Sequence, residues 1–271
     1  MNISNPSRPL VMGILNSTPD SFSDGGQFCS LDHAIAQAER MHLAGADIID
    51  IGGESTRPGA TFVSAAEELD RVIPLIEKVR RELDVNISVD TSKAEVIKEA
   101  AVHGIDLIND VRALQQEGAL DAAVKAQLPV CLMHMQGKPE NMQANPDYDD
   151  LFTEISKFFK KRIATCVAAG LSAEKIILDP GFGFGKTPQH NLALINRLSE
   201  FKILGKALLV GLSRKSTIGM ISGRDDRLIA SVTGAVIAVQ NGASIVRVHD
   251  VAETVEALAT YQAIISEGRN L

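Results

Sequence analysis

Eight short runs rich in branched and apolar residues recur along the chain, and segments with helical periodicity separate them. The runs are 10–15, 48–52, 86–90, 105–110, 129–133, 175–179, 207–212 and 244–249. Most are too uniformly apolar to leave one face in water, which is the pattern of parallel strands covered by helices. Between them, Ala34, Ala38, Met41 and residues 44–46 form one helical stripe, and Leu69, Val72, Ile73, Ile76 and Val79 form another. Leu151, Ile155, Phe158, Phe159 and Ile163 mark a third. Val255, Leu258, Ala259 and Gln262 mark the last, behind Asp250 and Glu253 spaced as a capping box. Eight even units predict a (β/α)8 TIM barrel, an α/β fold that runs to ~250 residues as one domain. A doubly wound open sheet uses the same units, but eight even alternations favour closure. No linker rich in Pro, Gly or Ser splits the chain, so residues 1–271 read as one domain with 1–8 as a short polar tail. The connections 16–30 and 136–149 are long enough to serve as lids or binding loops.

Composition narrows the function classes. A formal charge of −7 with no basic stripe argues against nucleic acid as a partner, and 4% aromatic residues without tryptophan offer few stacking platforms. No apolar run approaches the ~18 residues of a membrane span, and the start carries no apolar signal-peptide core. Cys29, Cys131 and Cys166 are odd in number and form no CxxC pair, which predicts reduced thiols and a cytoplasmic protein.

The stretch "DPGFGFGKT" from Asp179 imitates a phosphate loop without its spacing. Pro180 occupies the place of the first P-loop glycine, and Lys186 stands where a dinucleotide fingerprint needs its third glycine. Its role is better sought in Asp179, which closes the sixth run. Polar groups close the other runs too: Asn16, then Asp90, Asn109 with Asp110, His134, the segment Ser213 to Ser216, and Arg247 with His249. In a barrel these positions share the C-terminal face, where chemistry resides. Helix capping accounts for some of them. It does not account for Asp50 inside its run, nor for Arg247 and His249, whose spacing of two places them on one strand face as an anion clamp. Ser213 to Ser216 opens a helix and supplies a second anion site. Asp90, Asn109 and Asp179 are acceptors suited to a ligand rich in ring N–H donors, while Arg57, Lys215, Arg247 and His249 suit phosphate or carboxylate. Zinc is disfavoured, because there is no HExxH and no paired His/Cys cluster. A diphosphate ligand would itself recruit Mg²⁺, with Asn16 as a candidate metal ligand.

These blocks together resemble the dihydropteroate synthase family. They read "GILNSTPDSFSDGG" from Gly13, "DIIDIGGESTRPGA" from Asp47, "SVDTSK" from Ser88, "LINDVRAL" from Leu107, "ILDPGFGFGKT" from Ile177, "GLSRKS" from Gly211 and "RVH" from Arg247. The resemblance implies a (β/α)8 barrel that condenses 6-hydroxymethyl-7,8-dihydropterin diphosphate with p-aminobenzoate to 7,8-dihydropteroate and pyrophosphate. It also implies Mg²⁺ as cofactor, sulfonamides as inhibitors and a cytoplasmic homodimer, for which the later helices are the expected interface.

Carried onto this chain, the resemblance gives Asp179 the 2-amino-pyrimidinone edge of the pterin, with Asp90 and Asn109 completing the pocket. Lys215 reaches the ring's polar edge, Met133 packs on its face, and Gly211 joins the substrate-binding residues. Phe184 touches the p-aminobenzoate ring, and Ser213 receives its carboxylate. Arg247, His249 and Asn16 take the diphosphate, with Mg²⁺ near Asn16. Thr56, Arg57 and Pro58 close over the site with Phe22, Ser23 and Asp24. Asp90, Asp179, Lys215, Arg247, His249 and Asp24 form the expected catalytic set. The expected chemistry is an SN1-like substitution: diphosphate leaves, the electron-rich ring delocalises the cation, and the neutral arylamine attacks. The rivals are a methyltetrahydrofolate methyltransferase domain, which needs no diphosphate clamp, an aldolase using Lys215 as a Schiff-base amine, and a non-catalytic pterin-binding paralogue.

Overall fold

The computed structural model describes residues 2–17, 27–55, 62–137, 142, 146–223 and 225–268, with side chains from residue 31 onward in the first helix. Eight strands run parallel: β1 (Leu10–Asn16), β2 (Ile48–Gly52), β3 (Asn86–Asp90), β4 (Leu107–Asp110), β5 (Val130–Met133), β6 (Ile176–Asp179), β7 (Ala207–Val210) and β8 (Ile245–Val248). They pair in sequence order, and β1 closes on β8 through Leu10 opposite Ile245 and Met12 opposite Arg247. The expected barrel is therefore the observed one. Its helices are α1 (Gln27–Leu43), α2 (Ala65–Glu82), α3 (Ala94–Val102), α4 (Ala119–Ala126), α5 (Leu151–Ala168), α6 (Pro188–Asn196), α7 (Ser216–Ser222), α8 (Leu228–Gln240) and α9 (Val251–Ile265). The seventh unit carries two helices, α7 and α8, where the sequence predicts one.

The pleat sorts each strand into two cores. One set of alternate residues, among them Val11, Ile49, Ile87, Ile108, Leu132 and Val246, faces outward and packs under the helices. The other set faces the barrel axis: Leu10, Met12, Ile48, Leu107, Cys131, Ile177, Leu209 and Ile245 form a separate apolar cluster. That inner cluster includes Ile3, which is only 4% exposed. Ile3 is thus part of the core, while the other described residues of the expected tail are exposed or half-buried. Arg8 anchors the same segment through a two-point contact with Asp47, whose Oδ2 also accepts from the Val11 N–H at 2.9 Å.

Two local expectations are corrected. Asp250 precedes α9 but does not cap it with its side chain. Its carboxylate is engaged by Arg214 from the loop after β7, so the ion pair displaces the cap. Capping boxes form instead at Ser64 with Glu67 and at Thr187 with His190. Among Lys157, Lys160, Lys161 and Arg162, the first three are exposed as a solvated face requires, but Arg162 is half-buried. It donates to the carbonyls of Ala113 at 3.0 Å and Leu114 at 3.2 Å.

Those carbonyls belong to a strained turn. Ala113 and Leu114 have φ of 54° and 57°, a left-handed conformation that costs side-chain-bearing residues energy. Asp110 holds the turn from within by accepting from the N–H groups of Arg112 and Leu114, and Arg162 holds it from outside. Arg162→Ala leaves two carbonyls short of a donor, at a cost of about 1–3 kcal/mol. The expected loss in melting temperature is roughly 2–8 °C, measured by calorimetry with Lys161→Ala as the control that does not shift.

Candidate active site

Above the inner apolar cluster the barrel lining turns polar. Strand register fixes the level of the change: Ile14 lies opposite Asp50, Asp50 opposite Ser88, Gly52 opposite Asp90, Asp90 opposite Asn109, and Met133 opposite Asp179. Arg247 enters this layer from β8. Its Nε donates to Asp50 Oδ2 at 2.5 Å and its Nη2 to Asp90 Oδ2 at 2.8 Å. Asn109 Nδ2 donates to the same Asp50 oxygen at 3.1 Å. Asp50 is fully buried and supports two residues of the mouth at once. Thus β2, β3, β4 and β8 meet through one polar cluster.

Two carboxylates share one guanidinium there. Burial raises the Asp90 pKa to about 7 against the pull of Arg247, and the neighbouring Asp50 raises it further. Asp179 closes β6 and is also raised by burial, opposed first by Lys215 and then by the Gly181 N–H, which donates to its Oδ1 at 2.7 Å. Lys215 is lowered to about 8 by burial, while Asp179 pulls it back up. Its Nζ donates to the Phe182 carbonyl at 2.6 Å and lies 4.4 Å from the centre of the Phe184 ring.

An apolar wall stands beside these groups. Met133, Phe184, Val111 and Met142 form a small cluster separate from both barrel cores. Gly211 lines the gap between cations: a Cβ there would sit 3.7 Å from Arg247 Cβ and 4.0 Å from Lys215 Nζ. Asn16 ends β1 opposite Gly52, and a Cβ at Gly52 would lie 3.9 Å from both Asn16 Oδ1 and Asp90 Oδ2.

The structure therefore gathers Asn16, Asp90, Asn109, Met133, Asp179, Phe184, Gly211, Lys215 and Arg247 at the strand ends. His249 differs from its expected place. β8 ends at Val248, so His249 lies past the strand, where its Nδ1 is 3.1 Å from Ser213 Oγ and its N–H donates to the same oxygen. Ser213 precedes α7 by three residues and is tied to this histidine rather than to the helix start. Arg247 likewise is not a bare anion clamp, because Asp50 and Asp90 already orient it. Arg214 is held by Asp250. Phe22, Ser23, Asp24, Thr56, Arg57 and Pro58 lie outside the described residues.

Four supporting residues carry no role in the sequence expectations. Asn191 accepts from the Gly183 N–H at 2.7 Å and donates to Thr217, linking the loop after β6 to α7. Glu68, fully buried on α2, and Glu54 both take the Lys93 ammonium, which fixes the start of the loop after β2. Glu68 was detectable, since a glutamate four residues before Val72 breaks an otherwise apolar stripe. Asn191 leaves no such signal.

A closed parallel barrel with acceptors, cations and an apolar wall at its C-terminal mouth defines an enzyme built around a flat, polar-edged heterocycle. The family model of pterin-binding enzymes matches residues 12–249. Dihydropteroate synthase of Escherichia coli K12 is 56% identical over 97% of this chain and 94% of its own length. A Yersinia pestis dihydropteroate synthase, solved with a sulfonamide drug, superposes with a TM-score of 0.92 at 58% identity, covering 96% of this chain and 95% of that one. The Xanthomonas albilineans enzyme with 7,8-dihydropteroate bound gives 0.88 at 44% identity, covering 96% and 95%. The chain belongs to the pterin-binding enzymes, in the dihydropteroate synthase family.

The raised Asp90 has a stability consequence. A carboxyl whose folded pKa lies above its unfolded value of about 3.9 stabilises the fold at low pH and loses that contribution as pH rises through about 7. The ligand-free protein is expected to melt at falling temperature between about pH 4 and pH 7 on this account and to level off above, with Asp90→Asn flattening the slope. An unchanged slope in the variant refutes the assignment.

Proposed function

We propose that the chain joins p-aminobenzoate to 6-hydroxymethyl-7,8-dihydropterin diphosphate, forming 7,8-dihydropteroate and releasing pyrophosphate. The observation that carries this reading is the convergence of Asp90, Asn109 and Asp179 on one barrel mouth beside the Met133–Phe184 wall. The 2-amino-pyrimidinone edge of a pterin offers parallel N–H donors, and a carboxylate accepts such a pair in the manner it accepts a guanidinium. Asp179 supplies that carboxylate, with Oδ1 steadied by Gly181. Asp90 and Asn109 complete the polar edge, and Met133 covers the ring face.

The residues then divide the work of a dissociative substitution. As diphosphate departs, positive charge spreads from the exocyclic carbon into the dihydropterin ring, and Asp90 and Asp179 place negative charge beside it. Arg247 keeps Nε on Asp50 and Nη2 on Asp90, so Nη1 is its donor for the leaving anion. His249 and Asn16 flank that anion, and Lys215 meets the ring's polar edge. Phe184 shapes the arylamine pocket, Ser213 receives the carboxylate, and Gly211 leaves room for the substrates. The arylamine is neutral near pH 7, so attack needs no strong base and no covalent enzyme intermediate. Thr56, Arg57, Pro58 and Asp24 belong to the closing loops in this reading.

Mg²⁺ fits the donor set in a limited way. No group of three His, Cys, Asp or Glu side chains able to hold a metal occurs among the described residues. Asn16 offers one neutral oxygen near Asp90, as suits an ion that keeps its waters and arrives on a diphosphate. Bound there, it would neutralise charge on the leaving group.

Exposed Met220 and Ile221 on α7, Ile229 and Ile237 on α8, and Ile264 and Ile265 on α9 support a homodimer joined through these helices. The buried free thiols Cys131 and Cys166 suit a cytoplasmic protein. No helix of the described residues is long and apolar enough to cross a membrane.

The test is pyrophosphate release with dihydropterin diphosphate, Mg²⁺ and p-aminobenzoate, with the organic product identified by chromatography. Wild-type protein should yield dihydropteroate, and Asp179→Ala should lose at least about a hundredfold in kcat/KM for the pterin substrate. Pterin binding without pyrophosphate release refutes the reading.

A further inference from the structure

The 179–187 stretch holds a lysine for which the reaction above has no direct use. Lys186 is 2% exposed, the least exposed lysine among the described residues. Its Nζ donates to the Phe184 carbonyl at 2.9 Å and meets Nδ1 of His134 at 3.0 Å and the His134 carbonyl at 3.4 Å. The acceptors come from two loops, one following β5 and one following β6.

Those acceptors are also tied to one another. The His134 N–H donates to the Asp179 carbonyl at 2.8 Å, and the Phe184 N–H to the Gly181 carbonyl at 3.0 Å. With the Gly181 N–H on Asp179 Oδ1, the lysine closes a ring of hydrogen bonds from Asp179 through Gly181 and Phe184 and back through His134. The two loops press together inside this ring. Gly181 has φ of +73°, and a Cβ on it would overlap the His134 carbonyl. A Cβ on Gly185 would overlap the Gln136 backbone. Tyr148 braces the outer side by donating to the Gly185 carbonyl at 2.8 Å.

The ionisation of the pair agrees with this geometry. Burial, and then the charge of Lys186, push His134 down to about 2, so its imidazole stays neutral and Nδ1 presents a lone pair to Nζ. Burial lowers Lys186 to about 7, while Asp179 draws it back up. Phe184 then carries the effect to the mouth, since its ring faces the Lys215 ammonium and packs with Met133.

We infer that Lys186 is a positioning residue for the arylamine pocket: by tying the loop after β6 to the end of β5, it sets where the Phe184 ring stands. The inference rests on the functional reading above and adds a residue that touches neither substrate. A lysine suits the task because one side chain brings three donors to acceptors on two loops in a dry interior.

The test is steady-state kinetics on the full-length protein with Lys186→Met, which keeps the side-chain length and removes every donor. Lys186→Arg serves as the conservative variant, and Lys186→Gln is the milder change should the methionine variant not fold. The expected result is a KM for p-aminobenzoate raised about tenfold, with kcat at saturation within about threefold of wild type. Lys186→Arg should recover part of the rise, and Lys186→Gln should show the same split at smaller size. A folded Met or Gln variant with unchanged KM for p-aminobenzoate overturns the inference, even if it melts earlier. So does a collapse of kcat with unchanged KM, which would put Lys186 in the chemistry itself. Wild-type protein run alongside separates the two failures. If it makes no dihydropteroate, the functional reading fails; if it does and the variants keep wild-type KM, only the role of Lys186 fails.

Discussion

Arg247 between Asp50 and Asp90 is the interaction on which the mouth of this barrel depends. Below it the axis is filled by aliphatic side chains and one thiol, and little there could solvate a charge. Above it the strands end. Two carboxylates at this boundary would repel each other, and a single guanidinium offsets both while leaving the charge balance incomplete. That incompleteness is useful. Protein contacts alone hold the layer in shape, and it retains an excess of acceptors beside Asp179 and Asn109. In the proposed reaction the same arginine also faces the leaving anion, so one side chain would link the part of the site that grips the ring with the part that releases the diphosphate.

Support for this layer comes from behind. Asp50 holds both Asn109 and Arg247. Asp110 and Arg162 stabilise a left-handed turn after β4, and Lys93 with Glu54 and Glu68 secures the start of the loop after β2. Arg162 and Lys93 are each a side chain from one unit serving the loop of another. This arrangement lets loops of irregular shape present groups at fixed positions, because the strain and the desolvated charge are balanced next to where they arise.

Much of the fold was legible because the signal that makes a parallel barrel is local. A strand buried on both faces reads as an apolar run, and each run here matched a strand to within about two residues at its ends, the usual uncertainty of element boundaries. The polar residues closing those runs were legible for the same reason: Asp90, Asn109 and Asp179 interrupt apolar sequence at one point of the repeat. What was not legible depends on partners distant in sequence. Nothing near Asp250 shows that Arg214 claims its carboxylate instead of the helix. Nothing near Arg162 shows a strained turn 48 residues earlier that needs a donor. Ile3 in a polar start looks like tail until the open floor of the barrel is known. His249 lies one residue past the end of β8, and spacing alone does not show where pairing stops.

The closure of β1 on β8 also sets an order on how such a chain can be made. Asp50 emerges from the ribosome 197 residues before the arginine that pairs with it. Until β8 is synthesised, the growing chain holds a set of parallel strands with an unsealed edge and lacks the guanidinium that Asp50 and Asp90 both engage. A nascent barrel of six or seven units is therefore a poor resting point. Its polar layer favours staying open to water until the last strand arrives, and the step that seals the barrel is the same step that assembles the catalytic mouth.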